Sequence, residues 1–303
     1  MDRGAKGANA MLSSSAGRRS FSDNGAEAGP FVLSITSGKG GVGKTLTTIN
    51  LAVGLSKLGL RVLVVDGDAG LANVDVLLGL HSEKNLSHVI EGTACFKEII
   101  LEGPSGIKIV PSGSGIRNMT RLSYLQKLSL AEHIDDLEEK FDVVIFDTGA
   151  GISDAVMKFC TPAHKCIVIS TPEPHSMTDA YAIMKVMHED HGRKDLDLLV
   201  NMAQSDSEAL KIYERLADVA RKFLGINVNS IGFVPMDPQV KRSVAMRRVA
   251  ADTSLHTISG QAWLKLSRAI ADSIPHSRYN RGVSETLKNL LWSSSGDSRP
   301  AVL

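Results

Sequence analysis

Short runs of apolar residues alternate along this chain with longer segments in which apolar residues recur every three or four positions. Most of the short runs are unbroken, as expected for strands that are buried on both faces of a parallel sheet. We predict strands at Phe31–Thr36, Arg61–Asp66, Ile107–Pro111, Asp142–Asp147, Cys166–Ser170, Leu196–Asn201 and Ile231–Pro235. Helical patterns lie between and after them, among them Leu122–Leu137, Ser176–Asp190, Glu208–Phe223 and Gly260–Ile274. This order predicts a doubly wound α/β fold with a mostly parallel sheet, in which ligands bind at the carboxyl ends of the strands.

The chain divides into one long folded segment and two terminal segments. Residues 30–275 contain no linker and no internal repeat, so we predict a single domain there. Residues 1–29 are rich in Ser, Gly, Ala and Asn and lack the apolar core of a signal peptide, which predicts a disordered cytoplasmic extension. Residues 276–303 form a tail, in which Val283–Trp292 has a helical pattern.

The composition is that of a soluble globular protein, with 43% hydrophobic and 22% charged residues among 303. A net charge of +1 gives no reason to expect general nucleic-acid binding. No apolar run approaches the ~20 residues that a membrane-spanning helix requires. Cys95, Cys160 and Cys166 form no Cys-x-x-Cys pair, which argues against a disulfide framework and a zinc or iron–sulfur site. The histidines also lack metal-binding spacing. We therefore predict a cytoplasmic protein with reduced thiols.

The most informative motif lies between the first predicted strand and the helical pattern that follows it. Residues 38–45 read Gly-Lys-Gly-Gly-Val-Gly-Lys-Thr, which satisfies the phosphate-loop pattern in the strand–loop–helix context that it requires. The glycines let backbone N–H groups converge on phosphate oxygens at a helix N-terminus. Lys44 is predicted to hold the β- and γ-phosphates of a nucleoside triphosphate, and the Thr45 hydroxyl to ligate Mg²⁺. The predicted nucleotide-binding loop comprises Gly38, Lys39, Gly40, Gly41, Val42, Gly43, Lys44 and Thr45.

Two of the predicted strands end in carboxylates. Asp66 closes the second predicted strand and Asp68 follows it, next to the loop, where Mg²⁺ and an attacking water must lie. Four apolar residues precede Asp147, as in a Walker B strand, which places this carboxylate near Mg²⁺. Gly149 and Gly151 allow the backbone to approach the γ-phosphate. For Asp66 and Asp68 the alternative is a capping role for the next segment.

Lys39 stands directly after the first glycine and makes the loop a deviant Walker A motif, so that the sequence resembles the MinD/ParA group of ATPases. The resemblance implies that Lys39 reaches across a dimer interface and offsets charge on the partner's γ-phosphoryl group. The alternative for Lys39 is a solvated loop lysine. The resemblance also implies that Asp68 orients or activates the attacking water and that Asp66 supports Mg²⁺ indirectly.

The same resemblance places the base at two later strand ends. Asn201 closes its strand, and an asparagine at this position contacts adenine in the group; the alternative is a helix cap or turn residue. Backbone of Pro235, Met236 and Asp237 is implied to contact adenine as well. ATP is favoured over GTP through the family, since no Asn-Lys-x-Asp guanine motif follows a strand. The predicted cofactors are therefore ATP and Mg²⁺.

Three segments resemble the flagellar-number ATPases, the FlhG/FleN branch of this group, and they are Asp68–Leu80, Asp147–Ser153 and Thr171–Tyr181. The resemblance runs from about Phe31 to Ile274. It implies an ATPase that forms a homodimer around two ATP molecules and returns to the monomer through slow hydrolysis. Such proteins regulate flagellar number or placement, with an FlhF-type GTPase, flagellar C-ring proteins or a flagellar transcription activator as partners.

Two other functions remain as alternatives. A MinD-type division-site regulator typically carries Arg where Ala72 stands. A ParA-type DNA-segregation ATPase calls for a basic surface, which the near-neutral charge does not indicate. An iron–sulfur carrier ATPase needs a Cys-x-x-Cys pair that the sequence lacks. Some flagellar relatives begin with an Asp-Gln-Ala-x-x-Leu-Arg helix that stimulates the FlhF GTPase, and residues 1–29 contain no match to it.

The tail helix has two interpretations. Its apolar side chains share one face of a helical wheel, opposite a basic face; the former are Tyr279, Val283, Leu287, Leu290 and Leu291, and the latter Arg278, Arg281 and Lys288. The resemblance implies a reversible lipid anchor on the inner face of the cell membrane, strengthened when an ATP dimer presents two copies. The alternative is that the apolar face docks on the protein's own core.

Overall fold

The computed structural model describes residues 30–68, 74–111, 141–253 and 257–274. The strands are β1 (Phe31–Ser37), β2 (Val62–Gly67), β3 (Leu101–Glu102), β4 (Lys108–Val110), β5 (Val143–Ala150), β6 (Lys165–Ser170), β7 (Leu196–Ala203) and β8 (Val228–Pro235). The helices are α1 (Lys44–Lys57), α2 (Val74–Leu78), α3 (Leu86–Ile90), α4 (Phe96–Ile99), α5 (Asp154–Cys160), α6 (Pro174–Glu189), α7 (Asp206–Leu224), α8 (Pro238–Ala245), α9 (Ala250–Thr253) and α10 (Ile258–Ser273).

The eight strands form one sheet in the order β3-β4-β2-β5-β1-β6-β7-β8. Every neighbouring pair is parallel except β3 and β4, which are antiparallel at one edge. The strand that precedes the phosphate loop, β1, is central, between β5 and β6. The chain builds one half of the sheet on each side of β1, and such a switch point is where doubly wound sheets bind ligands. The predicted fold class is confirmed.

Burial on both faces explains the unbroken apolar strands. All residues of β1 and β2 are buried. Along β1, Leu33 and Ile35 belong to a core shared with α1 and α10, whereas Val32 belongs to a core on the opposite face. Because successive side chains of a strand point to opposite faces, a strand between two helical layers has no position for a solvated residue.

The helices α1 and α10 pack against each other at very short range. A Cβ atom built on Gly54 of α1 would lie 2.2 Å from the Ser267 hydroxyl of α10, so the packing requires glycine there. The same hydroxyl donates to the carbonyl of Leu51 at 3.4 Å. Trp263 and Ile270 of α10 fill the core on either side of this contact.

Several boundaries differ from the sequence prediction. The edge strand β8 begins at Val228, before the predicted Ile231, because its Asn229 and Ser230 are exposed and interrupt the apolar run. The short helices α2, α3, α4, α5, α8 and α9 and the two-residue β3 were not predicted, since so few residues give no readable period. The predicted helix Leu122–Leu137, the extension 1–29 and the tail 276–303 with Val283–Trp292 lie outside the described residues. Among the described helices, none is both long and apolar enough to span a membrane.

Candidate functional site

The phosphate loop joins the carboxyl end of β1 to the amino end of α1. Gly41 and Gly43 have φ angles of 80° and 90°, a region that side chains disfavour and glycine enters freely. Gly43 is the N-cap of α1 and, having no side chain, makes no capping hydrogen bond. The first N–H groups of α1 are thus directed at the loop, together with the positive end of the helix dipole. This geometry binds phosphate.

Two glycines of the loop are required by close neighbours. A Cβ on Gly38 would lie 2.1 Å from the carbonyl oxygen of Asp179 in α6, and one on Gly43 would lie 2.4 Å from the Asn201 amide nitrogen. Gly40 and Gly41 are exposed, and a Cβ on either would meet nothing within 4 Å. The loop is therefore held at its two ends and open at its middle.

Lys44 is buried at the start of α1, with 8% of its surface exposed. Its Nζ donates to the Ser37 hydroxyl at 3.2 Å. Burial lowers the pKa of Lys44, and the carboxylates of Asp147 and Asp68 oppose that shift. The Lys44 ammonium is thus poorly solvated and lies near two carboxylates, a position from which it can bind phosphate oxygens instead. The neighbouring Thr45 is half-buried in the same first turn.

Asp147 is fully buried near the end of β5. One carboxylate oxygen, Oδ1, accepts from the Thr48 hydroxyl at 2.9 Å, and the other, Oδ2, has no hydrogen-bond partner among the described residues. Burial raises the pKa of Asp147 to about 6, and hydrogen bonding from Thr45 and Thr48 opposes the rise. An orphaned carboxylate oxygen costs free energy unless a cation or donor occupies it. With the Thr45 hydroxyl it forms an oxygen donor set that fits Mg²⁺.

Asp66 lies beside Asp147 in the register of β2 with β5 and is also fully buried. Its two oxygens accept from backbone N–H groups, those of Asp68 at 3.0 Å and Val74 at 3.4 Å. Both oxygens thus support the segment after β2, the capping role that was its alternative. Indirect support of Mg²⁺ is compatible with that position.

The Asp68 carboxylate faces the carboxyl end of β5, at Gly149. Its Oδ1 would lie 3.7 Å from a Cβ built on Gly149. Just beyond β5, the backbone N–H of Gly151 donates to the carbonyl of Ser37 at 2.9 Å, which joins this strand end to the start of the phosphate loop. The structure therefore brings together Asp68, Gly149 and the loop, three parts that the sequence placed at one sheet edge.

Of the residues predicted to contact the base, Asn201 lies beside the loop, and the side chains of Asn201 and Asp237 have other partners. Asn201 is buried, and its amide donates to the carbonyl of Val42 at 2.8 Å. The Asp237 carboxylate caps α8 through the N–H of Gln239 and accepts from the Ser259 hydroxyl at 2.7 Å. The Met236 side chain is half exposed. The prediction for Pro235, Met236 and Asp237 concerns their backbone, where the N–H of Met236 donates to the carbonyl of Ala203 at 2.8 Å.

The side chains of the site that sequence analysis missed include those of Glu173 and Thr48, besides the Ser37 hydroxyl. Glu173 is the N-cap residue of α6, and its carboxylate accepts from the Lys39 ammonium at 2.8 Å. This hydrogen bond and the opposite charge raise the pKa of Lys39 and lower that of Glu173. The Thr48 hydroxyl that holds Asp147 was also missed, although it lies one turn beyond Thr45 on the same helix face.

These features define a P-loop nucleotide-binding protein of the α/β class. The family model described as an AAA domain matches residues 31–198, and the chain belongs to that family. It is 38% identical over 251 residues to the antiactivator FleN of Pseudomonas aeruginosa, and the alignment covers 83% of this chain and 89% of FleN. It is 34% identical over 232 residues to the flagellum site-determining protein YlxH of Helicobacter pylori, with 76% and 78% covered.

A solved structure gives the same result. The septum site-determining protein MinD of Pyrococcus horikoshii, in complex with Mg-ADP, matches with a TM-score of 0.63 and 25% identity, over 80% of this chain and 96% of that one. Together these likenesses confirm the predicted family. The chain is a member of the MinD/ParA-type ATPases, in the FleN/FlhG branch.

Proposed function

We propose that this protein is an ATP-binding and ATP-hydrolysing switch that dimerises with ATP and regulates the number or placement of flagella. The observation that carries the nucleotide chemistry is the buried Asp147 carboxylate, whose Oδ2 has no partner among the described residues and which lies close to Lys44. The names of FleN, an antiactivator, and YlxH, a flagellum site-determining protein, support the flagellar assignment.

The loop residues bind and orient the triphosphate. Backbone N–H groups at the start of α1 receive phosphate oxygens, and Lys44 moves from the Ser37 hydroxyl to the β- and γ-phosphates. Thr45 and Asp147 would hold Mg²⁺, and Asp66 would keep that site in place from the neighbouring strand. Bound there, Mg²⁺ supplies positive charge that neutralises the phosphate oxygens.

Asp68 and Lys39 divide the hydrolytic work. Asp68 orients the attacking water and accepts its proton, because it borders the segment that approaches the γ-phosphate. Lys39 supplies a cation to the partner's nucleotide, like an arginine finger in trans. In the single chain Lys39 is bound to Glu173, so hydrolysis is slow until a second copy attracts it away.

Partners and location follow from the branch. An FlhF-type GTPase, flagellar C-ring proteins or a flagellar transcription activator would bind the ATP dimer; the name antiactivator favours the last of these. The protein would act in the cytoplasm and on the inner face of the cell membrane. The likeness to MinD favours one second candidate, a division-site regulator.

Oligomeric state tests this proposal most directly. Light scattering on the wild type and on Asp68→Ala, with ADP and then ATP, is expected to show monomers with ADP and dimers with ATP. The dimer persists in Asp68→Ala, because that variant binds ATP without hydrolysing it. Monomers under every condition would contradict the switch.

Deletion in the host separates the two biological roles. Loss of the gene product is expected to change the number or position of flagella, counted by electron microscopy, and to leave cell length and septum position unchanged. Misplaced septa with normal flagella would favour the division-site regulator instead. Complementation by Asp68→Ala is the matched control, since it restores the protein without its turnover.

A further inference from the structure

Three sulfur atoms meet inside the fold, in the core that α5, β6 and α6 share, away from the groups that bind phosphate. Cys160 is the last residue of α5, Cys166 lies in β6 and Met187 lies in α6, and all three are fully buried. The Cys166 thiol donates to the Met187 thioether at 3.8 Å, and the Cys160 thiol is hydrogen-bonded to Cys166. The Cys166 sulfur therefore contacts both of the others. We call these three residues the sulfur cluster.

Two hydroxyl groups of β1 border the sulfur cluster. Ser34 and Thr36 are fully buried, and Ser34 lies beside Cys166 in the register of β1 with β6. Neither hydroxyl has a hydrogen-bond partner among the described residues, a condition that costs free energy in a buried position. Burial raises the pKa of the Cys160 thiol, and the hydroxyls of Thr36 and Ser34 oppose that rise. Both are therefore close enough to stabilise a sulfur anion.

A positive charge lies on the other side of the cluster. The Arg193 guanidinium donates from Nη1 to the carbonyls of Cys160 and Ala163, each at 2.7 Å. The hydrogen bond from Cys160 lowers the pKa of Cys166, burial opposes this shift, and the charge of Arg193 adds to it. A thiolate formed in this core would thus have hydroxyl donors and a cation nearby, which are the groups that favour the charged form.

The ligand chemistry is that of a soft metal ion. Thiolate and thioether sulfurs together select Cu(I), which accepts low coordination numbers. A structural Zn²⁺ site needs four ligands, and the described residues contain no group of three or more His, Cys, Asp or Glu that suits a metal. Metal–sulfur bonds of about 2.3 Å in a plane around one ion place the sulfurs about 4 Å apart. The separation of 3.8 Å between Cys166 and Met187 fits this arrangement.

We infer that Cys160, Cys166 and Met187 form a binding site for one Cu(I) ion. The ion replaces the protons of the two thiols, both protons pass to the solvent, and no electron is transferred. The resulting centre carries one negative charge, which the two hydroxyls of β1 and the guanidinium stabilise. This site needs no nucleotide chemistry and would stand even if the proposed ATPase did not.

The turn between α5 and β6 provides the way in. Cys160 directly precedes this turn, and Thr161, Pro162 and His164 are exposed there. The same Nη1 of Arg193 also donates to the carbonyl of Thr161 at 3.0 Å, so one side chain holds the turn closed. An ion reaches the two thiols by displacement of this short turn, without passage through the apolar core.

Anaerobic titration of the full chain with Cu(I), in competition with the chelator bicinchoninate, tests the site. We expect one Cu(I) to be retained per chain, and the affinity to fall as the pH is lowered, because binding releases protons. Cys160→Ser/Cys166→Ser is expected to abolish this binding. Met187→Leu is expected to weaken it, and this variant nearly conserves side-chain volume, so that the fold is kept.

The matched controls are Cys95→Ser and Met184→Leu. Cys95 is a half-buried cysteine outside the cluster, and Met184 is a fully buried methionine of the same helix and the same core. Affinity unchanged in both controls and lost in the cluster variants supports the site. Binding that is lost in Cys95→Ser and kept in Cys160→Ser/Cys166→Ser would reveal an adventitious ion only and overturn it.

Thr36→Val separates support of the metal from a structural role. The Cu(I) affinity is expected to fall about tenfold or more, as for other groups that hold metal ligands in place. The melting temperature of the copper-free variant should equal or exceed that of the wild type, because a buried hydroxyl without a partner is removed. Thr47→Val is the control, since it removes an equally unpartnered hydroxyl from α1. Unchanged affinity in Thr36→Val would contradict the arrangement.

X-ray absorption at the copper edge identifies the ligands directly. Sulfur neighbours alone are expected, whereas nitrogen or oxygen neighbours would place the ion elsewhere and overturn the inference. Failure of the wild type to retain Cu(I) overturns it as well, once all three thiols of the chain have been titrated in denaturant and found reduced.

Discussion

Lys39 and Glu173, which stand 134 positions apart in the chain, form an ion pair of 2.8 Å at the mouth of the phosphate loop. Both side chains are largely exposed, 40% and 64%, so the pair contributes little to the stability of the fold. Its importance lies in position, because the same ammonium group is proposed to act on a partner's nucleotide. Glu173 therefore competes with that nucleotide for Lys39.

Removal of this competitor is expected to favour the ATP dimer. In Glu173→Gln, half-maximal dimerisation is predicted at a lower ATP concentration than in the wild type, with an unchanged melting temperature. Light scattering across an ATP titration measures the shift. Glu189→Gln is the control, since it breaks the exposed pair with Lys185 on the same helix. A dimer that needs more ATP in Glu173→Gln would show that Glu173 assists the interface instead.

The two ends of the loop are expected to tolerate substitution very differently. Gly38→Ala would force its Cβ to within 2.1 Å of a backbone oxygen in α6. We expect this substitution to lower the free energy of unfolding by about 2 kcal/mol or more. Gly40→Ala meets nothing within 4 Å, so its free energy of unfolding should stay within about 0.5 kcal/mol of the wild type. Urea unfolding monitored by circular dichroism gives both values. Equal effects would contradict the packing of α6 on the loop.

Asn201 is expected to act on the loop rather than on the base. Asn201→Ala leaves the carbonyl of Val42 and the N–H of Met202 without this partner. We expect it to lower the free energy of unfolding by about 1–3 kcal/mol. Nucleotide affinity should then fall equally for ADP and GDP, measured by calorimetric titration. A fall confined to ADP would instead support the adenine contact that the family resemblance implied.

The raised pKa of Asp147 predicts that the stability of the metal-free protein depends on pH. Its pKa is raised from 3.8 to about 6 by burial, so ionisation destabilises the folded chain as the pH rises through that window. Asp147→Asn does not titrate and keeps an acceptor for Thr48. At pH 8 in EDTA its free energy of unfolding is expected to exceed that of the wild type by on the order of 2–3 kcal/mol. The difference should shrink at pH 5.

Calorimetry at the two pH values measures this difference, and Asp195→Asn, at an exposed loop position, is the control. Parallel pH profiles for the wild type and Asp147→Asn would contradict the prediction. Added Mg²⁺ with ATP should reverse the order, because the ionised carboxylate then has a partner that asparagine cannot replace.

The sheet could be predicted from sequence because most of its strands are nearly unbroken runs of apolar residues. In β1 and β2 every position is buried, so the apolar run and the strand coincide to within a residue. At the edges of the sheet the apolar pattern no longer marks the strand. Asn229 and Ser230 face solvent in β8, and the two-residue β3 is too short to be distinguished from a loop.

The site was predictable where a motif fixes the backbone and unpredictable where contacts cross the fold. The glycines and lysines of the loop have fixed spacing, so their position followed from the pattern. Glu173 meets Lys39 only because β6 lies beside β1 and α6 begins at the same edge. Asp237 lies at the predicted strand end, yet its carboxylate binds Ser259, a contact that no local pattern announces.

The close contact of Gly54 with Ser267 has a mechanical consequence. Because Gly54 has no side chain, the Ser267 side chain lies directly against the backbone of α1, and a shift of one helix along the other would bring atoms into collision. α1 starts at Lys44, and α10 ends at Ser273, next to the tail. We therefore expect the two helices to move together, so that a displacement of the loop end of α1 also shifts the end of α10, where the tail begins. Gly54→Ala would wedge the pair apart and uncouple the two ends, while every phosphate-binding residue stayed in the sequence.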